Sequence, residues 1–337
     1  MIIWNKIQVG KIKNTRMKKM THTLLILAIT LGLFSCDSES GNEPDPVDPV
    51  EETPEAPLEV GYALSINHFT PEVLSAAKAA GVDHVEASAM STFIDSNADF
   101  RMTEEEAIAK LTEAKKNADA AGINIWSIHM PFGEKVDISV TDEAHRQKTV
   151  ANHSKLVEML EILDPEIILF HPSWYLGLNQ RDERKSQLLK SATELDEAVR
   201  AIGATMVLEN MLGPELLASG GRERPLMRTV EETKEIFSRL PSTIGLGVDT
   251  NHIGEPEKLI KAMGDKLKTL HIADGTGRAE NHFFPCTGEG ENDWNKILAA
   301  LEEVGYEGPF MYESPTDDVK NYRTCYEELF ETYYQQK

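Results

Sequence analysis

From residue 58 onward, short β-branched runs alternate with longer amphipathic ones. The short runs fall at 60–66, 84–87, 123–129, 167–171, 205–209, 244–249, 269–273 and 309–313, and their composition predicts strands. Helical spacing of apolar residues covers 71–80, 104–121, 143–163, 181–202, 230–240, 257–263, 294–304 and 318–333. The punctuation agrees with this division. Gly81, Gly122, Gly203 and Gly305 each follow a predicted helix, where a C-terminal cap belongs, and Thr70 before Pro71-Glu72 reads as an N-cap with proline in the first turn. Eight strand–helix units in about 280 residues predict one α/β domain, a (β/α)8 TIM barrel over 58–337. A doubly wound open sheet is the competing architecture. It usually carries a glycine-rich phosphate turn after its first strand, and Ser65-Ile-Asn-His-Phe-Thr70 has none.

The segment before the barrel has another character. Residues 1–35 hold six basic side chains and no acid, followed within that stretch by the apolar run 24–34. That run is too short to span a bilayer and suits the core of a signal peptide. It ends in Leu33-Phe34-Ser35-Cys36, which looks like a bacterial lipobox. On that reading Cys36 is acylated and becomes the N-terminus of a lipoprotein held at the cell envelope, on the periplasmic face or the cell surface. The alternative is a chance cysteine after an ordinary cleavage site. Residues 36–57 carry eight acids and five prolines with almost nothing apolar. Such a segment cannot offset its ordering entropy, so a disordered, extended membrane tether is expected.

Composition narrows the classes further. The 337-residue chain has 34 basic and 56 acidic side chains, a formal charge of −22, so a polyanion such as nucleic acid is a poor partner. Hydrophobic residues at 41% exclude disorder throughout, and three cysteines exclude a disulfide scaffold. Cys286 and Cys325 could pair in an oxidising envelope or stay as free thiols.

The chemistry collects at the strand ends. Glu86, His129, His171, Glu209, Asp249, His271 and Glu313 lie at or near the ends of strands two to eight. In a barrel those ends converge on one face, where active sites sit. Singly, each has an ordinary explanation as a satisfied hydrogen-bonding residue or a cap of the following helix. Together, so many carboxylates in one low-dielectric mouth would repel one another unless a cation or protonation relieved them. A divalent metal is the economical solution. Three carboxylates with one imidazole form a hard donor set suited to Mn, Mg or Co, with Zn tolerated.

Leu208-Glu209-Asn210, Val248-Asp249-Thr-Asn-His252, Leu270-His271-Ile-Ala-Asp274, Thr287-Gly-Glu-Gly290 with Asp293-Trp294, and Met311-Tyr-Glu313 resemble the xylose-isomerase-like TIM barrel superfamily. The resemblance spans about residues 60–335 and is closest to sugar (phosphate) isomerases and epimerases of the ketose 3-epimerase and hydroxypyruvate isomerase type. It implies that Glu209, Asp249, His271 and Glu313 bind one divalent metal. It also implies that Glu209 and Glu313 transfer protons on opposite faces of a sugar carbon through an enediolate. His252 and Glu215 match substrate-contacting residues, and Arg278 sits near a substrate-binding arginine in a loop that differs by one residue. His129, His171, Trp174 and His282 complete the expected substrate contacts. Trp174 and Tyr175 could stack on a sugar ring or simply pack their loop.

Other readings stay open. His129-Met-Pro131, Phe170-His171-Pro172 and Glu280-Asn-His282 look like the additional ligands of endonuclease IV, whose site holds three zinc ions. The acidic charge and export signal argue against DNA as substrate. A metal-dependent lyase or hydrolase on keto-sugars or glycosides, and a non-catalytic carbohydrate-binding lipoprotein, are the alternatives to the isomerase. The loop Ser314-Pro-Thr-Asp-Asp318 is acidic and lacks glycine, so an unphosphorylated sugar is the expected substrate. Oligomeric state leaves no trace in the sequence.

Overall fold

The computed structural model describes residues 54–218 and 220–337. The predicted signal peptide, Cys36 and most of the tether lie outside the described residues. Ala56, assigned to the tether, is already buried, and the Leu58 N–H donates to the Tyr326 hydroxyl at 3.1 Å.

Eight parallel strands alternate with eight helices. The strands are β1 Val60–Ser65, β2 His84–Ser88, β3 Asn124–His129, β4 Ile167–Phe170, β5 Thr205–Glu209, β6 Gly245–Asp249, β7 Leu267–His271 and β8 Phe310–Tyr312. The helices are α1 Pro71–Ala79, α2 Glu104–Ala121, α3 Glu143–Leu160, α4 Arg181–Ala201, α5 Val230–Phe237, α6 Pro256–Met263, α7 Trp294–Val304 and α8 Lys320–Gln335. Neighbouring strands pair in the order β7-β6-β5-β4-β3-β2-β1-β8. The remaining seam is bridged by Ile272 N–H to Met311 O at 2.7 Å and Glu313 N–H to Ile272 O at 3.1 Å. The TIM barrel is therefore nearly closed, and the open doubly wound sheet is set aside.

Local signals act where expected. The Thr70 hydroxyl accepts from Val73 N–H ahead of Pro71, and Gly122 and Gly305 end α2 and α7 in the left-handed conformation that glycine adopts without strain. A capping box at Thr103 and Glu106, not anticipated, starts α2. Expected strand seven shifts two residues toward the N-terminus, because Leu267 and Thr269 complete the ladder with β6.

Side-chain alternation then builds a layered interior. Outward-facing strand residues join the helices in the main core. Inside the barrel, Ile167, Leu169 and Val207 form a separate apolar plug packed on Trp126. Gly247 belongs to this layer, since an added Cβ would sit 3.0 Å from Leu169 Cδ1 and 3.2 Å from Val207 Cγ1. Two residues further along these strands come His171, Glu209 and Asp249. The apolar plug thus supports a polar layer, and that layer opens at the C-terminal rim.

Candidate active site and metal centre

The polar layer converges on His271. Its Nδ1 lies 2.8 Å from Glu313 Oε2 and 3.1 Å from Glu209 Oε1, and its Nε2 lies 3.1 Å from Glu86 Oε2. Donor atoms of Glu209, Asp249, His271 and Glu313 all lie within 4.8 Å of one another. Glu209, Asp249 and His271 are buried, and Glu313, one residue past β8, is partly open to the mouth.

Two imidazole pairs flank this group. On one side, His171 Nε2 lies 3.2 Å from Glu209 Oε2 and 3.2 Å from His129 Nε2, while the His129 Nδ1–H donates to Met130 O at 3.0 Å. On the other, His252 Nε2 and His282 Nε2 approach Asp249 Oδ2 at 3.5 and 3.7 Å and share Glu280 Oε2 at 3.0 and 3.3 Å. Backbone acceptors orient both rings, since His252 Nδ1–H donates to Asn210 O and His282 Nδ1–H to Glu313 O, each at 2.9 Å. His129 and His171 with Glu209, and His252 and His282 with Asp249, are thus two further donor groups sharing members with the first.

The charges are strongly coupled. Burial alone would raise the Glu209 and Glu313 carboxyls, but the charge of His271 prevails, holding Glu209 well below the usual range and Glu313 down to about 2. Burial wins at Asp249, pushing it up to about 7 against His252 and His282. At His271 burial is overcome by Glu313, Glu86 and Glu209, and at His252 by Asp249 and Glu280, so both rings are held well above the ordinary imidazole value. His129 and His282 are held up to about 9 against burial, chiefly by Glu209 and Glu280 respectively. His171 goes the other way, because burial outweighs Glu209.

The donor set fits a divalent cation. Glu209 Oε2 and Asp249 Oδ2 are buried without a hydrogen bond of adequate geometry. A buried carboxylate oxygen with no partner is costly unless a positive charge faces it. Three carboxylates and one imidazole nitrogen supply hard donors.

Above the cluster lies a cavity of about 270 Å³. It brings together six residues expected from the sequence as substrate or catalytic groups, His129, His171, Trp174, His252, His282 and Glu313, with Glu209 beneath them. Phe132, Tyr175, Met211, Pro225 and Glu280 complete the wall. Phe132 is 54% exposed and stacks on the His171 ring at 4.3 Å. Glu215 and Arg278 are not brought to this cavity. They pair with each other at 2.8 Å on the surface, and Arg278 lines a neighbouring groove instead. The insertion 210–229 after β5 carries Glu215 outward, which spacing from Glu209 could not reveal.

Two residues of the site have no role that the sequence alone assigns. Glu86 is fully buried inside the barrel, and its signal is a carboxylate between the apolar Val85 and Ala87 of β2. Phe132 gave no signal beyond its position three residues after His129. Cys286 and Cys325, left open by the sequence, form a disulfide with Cα atoms 5.8 Å apart, tying the loop after β7 to α8.

Solved structures of similar fold include a D-tagatose 3-epimerase-like protein (TM-score 0.62, 19% identity, covering 82% of this chain and 98% of that one). An L-ribulose 3-epimerase aligns with TM-score 0.62 and 17% identity over 82% and 96% of the two chains. A 3-keto-D-glucoside 4-epimerase from E. coli aligns with TM-score 0.59 and 16% identity over 83% and 100%. Among curated sequences, an uncharacterized protein of Methanocaldococcus jannaschii is 26% identical over 58% of this chain and 66% of its own length. An uncharacterized protein of Sinorhizobium fredii is 34% identical over 24% of this chain and 27% of its own length. The matches thus span just under two thirds of the first relative and about a quarter of the second. The model of the xylose isomerase-like TIM barrel family matches residues 74–334, and this chain, with its eight-stranded barrel and polar C-terminal rim, belongs to that family.

Proposed function

We propose that this protein is a divalent-metal-dependent sugar isomerase or epimerase acting on an unphosphorylated sugar. The observation that carries the reading is the convergence of Glu209 and Glu313 on one imidazole at the floor of a cavity walled by aromatic rings. The epimerases of similar fold, named for ketoses and a keto-glucoside, support a sugar as substrate.

Glu209, Asp249, His271 and Glu313 would hold the cation. When bound, it supplies Lewis acidity that draws electron density from a carbonyl oxygen and eases loss of the neighbouring proton. Glu209 and Glu313 are both held in the ionised form, so either can accept a proton from the carbon beside the carbonyl. The other, once protonated, returns a proton to the opposite face for epimerisation or to the adjacent carbon for isomerisation. His252 and His282 have their rings fixed by backbone acceptors at Nδ1 and would donate from Nε2 to substrate oxygens. Trp174 and Phe132 offer flat faces to a ring and exclude water from it.

A second reading, a lyase or hydrolase on keto-sugars or glycosides, is favoured by the His129–His171 pair, which places an additional proton donor beside Glu209. Export to the cell envelope on a lipid at Cys36 is part of the same proposal, supported by the disulfide, since such bonds persist in oxidising compartments.

The test is metal analysis of the purified protein, then NMR of unphosphorylated ketoses and keto-glycosides in deuterated water. Deuterium entering at the carbon beside the carbonyl supports the proposal, and loss of an aglycone without a rearranged sugar supports the second reading. Sugar binding with neither outcome would leave a carbohydrate-binding module. Glu209→Gln and Glu313→Gln should each reduce turnover by about 10²–10⁴-fold. Full activity in either would refute the proton-transfer assignment.

A further inference from the structure

Glu86 is the carboxylate of the barrel throat that stands outside the four-donor group. It is fully buried in the middle of β2, between Val85 and Ala87. A buried carboxylate is costly without partners, and this one directs both of its contacts through one oxygen while Oε1 has none. Its Oε2 accepts from the Ser127 hydroxyl at 2.7 Å and faces His271 Nε2 at 3.1 Å. The backbone is adapted to this contact. The ladder between β2 and β3 slips by one residue between Val85 and Glu86, so Ser127 stands opposite Glu86 where unbroken register would have put Trp126. An irregularity of this kind re-aims a side chain at the cost of a ladder position.

The contact has a consequence for the ring it touches. Nε2 faces the Glu86 oxygen, which can accept a hydrogen from it, while Nδ1 faces Glu313 Oε2 and Glu209 Oε1, two members of the four-donor group. A cation held with those carboxylates would take the lone pair of Nδ1, which leaves the one hydrogen of the neutral ring on Nε2, against Glu86. We propose that Glu86, held by Ser127, is a positioning residue that fixes the tautomer and ring orientation of His271, aiming Nδ1 at the cation site. This rests on the reading that Glu209, Asp249, His271 and Glu313 hold a divalent cation. Glu86 would not touch substrate or metal and would act through His271 alone. Partners of this kind orient a metal-ligating imidazole and raise its basicity, and their loss costs about 10–100-fold in metal affinity.

Two measurements on the purified full-length protein test the proposal. In wild type loaded with Zn²⁺, long-range ¹H–¹⁵N spectra of histidine-labelled protein should show His271 protonated at Nε2 and metal-bound through Nδ1. The reverse assignment would overturn the proposal without any variant having to fold. Calorimetric titration with Co²⁺ should show roughly 10–100-fold weaker binding for Glu86→Gln and a smaller loss for Ser127→Ala. Wild-type affinity in Glu86→Gln, with His271→Ala unable to bind, would sink the positioning role and leave the four-donor site standing. Failure of wild type to bind Co²⁺ would sink both. If Glu86→Gln does not fold, Ser127→Ala with the His271 spectrum decides. A weakened site with a mixed tautomer supports the role, and an unchanged spectrum and affinity refute it.

Discussion

Asp249→Asn separates the stability of this fold from its capacity to bind a cation. Asp249 ends β6 fully buried, with Oδ1 accepting from Asn251 N–H at 2.7 Å and Oδ2 lacking a hydrogen bond. Burial pushes its carboxyl from an ordinary 3.8 to about 7, against the pull of His252 and His282. The unfolded chain releases this proton near the ordinary value, while the folded chain keeps it to about 7. The resulting penalty on folding is therefore absent below about pH 4, grows through the interval and is complete above about pH 7, where it is on the order of 4 kcal/mol. Asparagine has nearly the same shape, keeps an acceptor for Asn251 and has no charge to bury. In chelator at pH 8, Asp249→Asn should melt about 8–16 °C above wild type, at the roughly 2–4 °C per kcal/mol typical of large domains. The gap should close as pH falls toward 4. With a divalent cation at about a hundred times its Kd, wild type should gain about 2.7 kcal/mol and the variant nothing. Differential scanning calorimetry across pH, with and without cation, reads all of this. A variant less stable than wild type in chelator, or one that responds fully to the cation, would refute the reasoning.

Three further outcomes are expected. His153 is fully buried in α3, its Nε2–H donating to Val136 O at 3.1 Å, and burial pulls it down to about 4. The folded state then favours the neutral ring, so stability present above pH 6.5 is lost as pH falls toward 4, by about 3 kcal/mol; urea titrations should show His153→Asn losing less than wild type over that range. Cys325→Ser opens a link between residues 39 apart in sequence and should cost about 2–4 kcal/mol in guanidinium unfolding, an effect reductant reproduces in wild type and not in the variant. Trp174→Ala and Phe132→Ala remove flat walls of the cavity and should raise KM by roughly 5–10-fold with a smaller change in kcat, while an equal fall in kcat would place these rings in the transition state.

Much of the architecture is legible because its signals are local. Seven of the eight strands coincide with the predicted runs to within one residue at each end, and caps such as Thr70 and Gly122 act through atoms three or four residues away. The exceptions have tertiary causes. β7 begins at Leu267 because β6 offers it a ladder partner, and the Cys286–Cys325 bond forms because the loop after β7 packs on α8. Glu215 is the instructive miss. Its six-residue spacing from Glu209 points to the substrate, yet the long insertion after β5 turns it to the surface, where it pairs with Arg278.

What the chain determines by itself is which residue ends which strand, since a period of two residues and a barrel-forming alternation need only local propensity. That places Glu209, Asp249 and Glu313 at the ends of predicted strands and His271 within one, before any coordinates exist. Only the closed barrel decides that these four, separated by up to 104 residues in the sequence, bring their donor atoms within 4.8 Å, and that Glu86 lies against the far nitrogen of His271. The physical reason is that strand tilt, the bulge beside Glu86 and the apolar plug beneath them set which side chains meet, and none of these is a property of a short stretch of sequence.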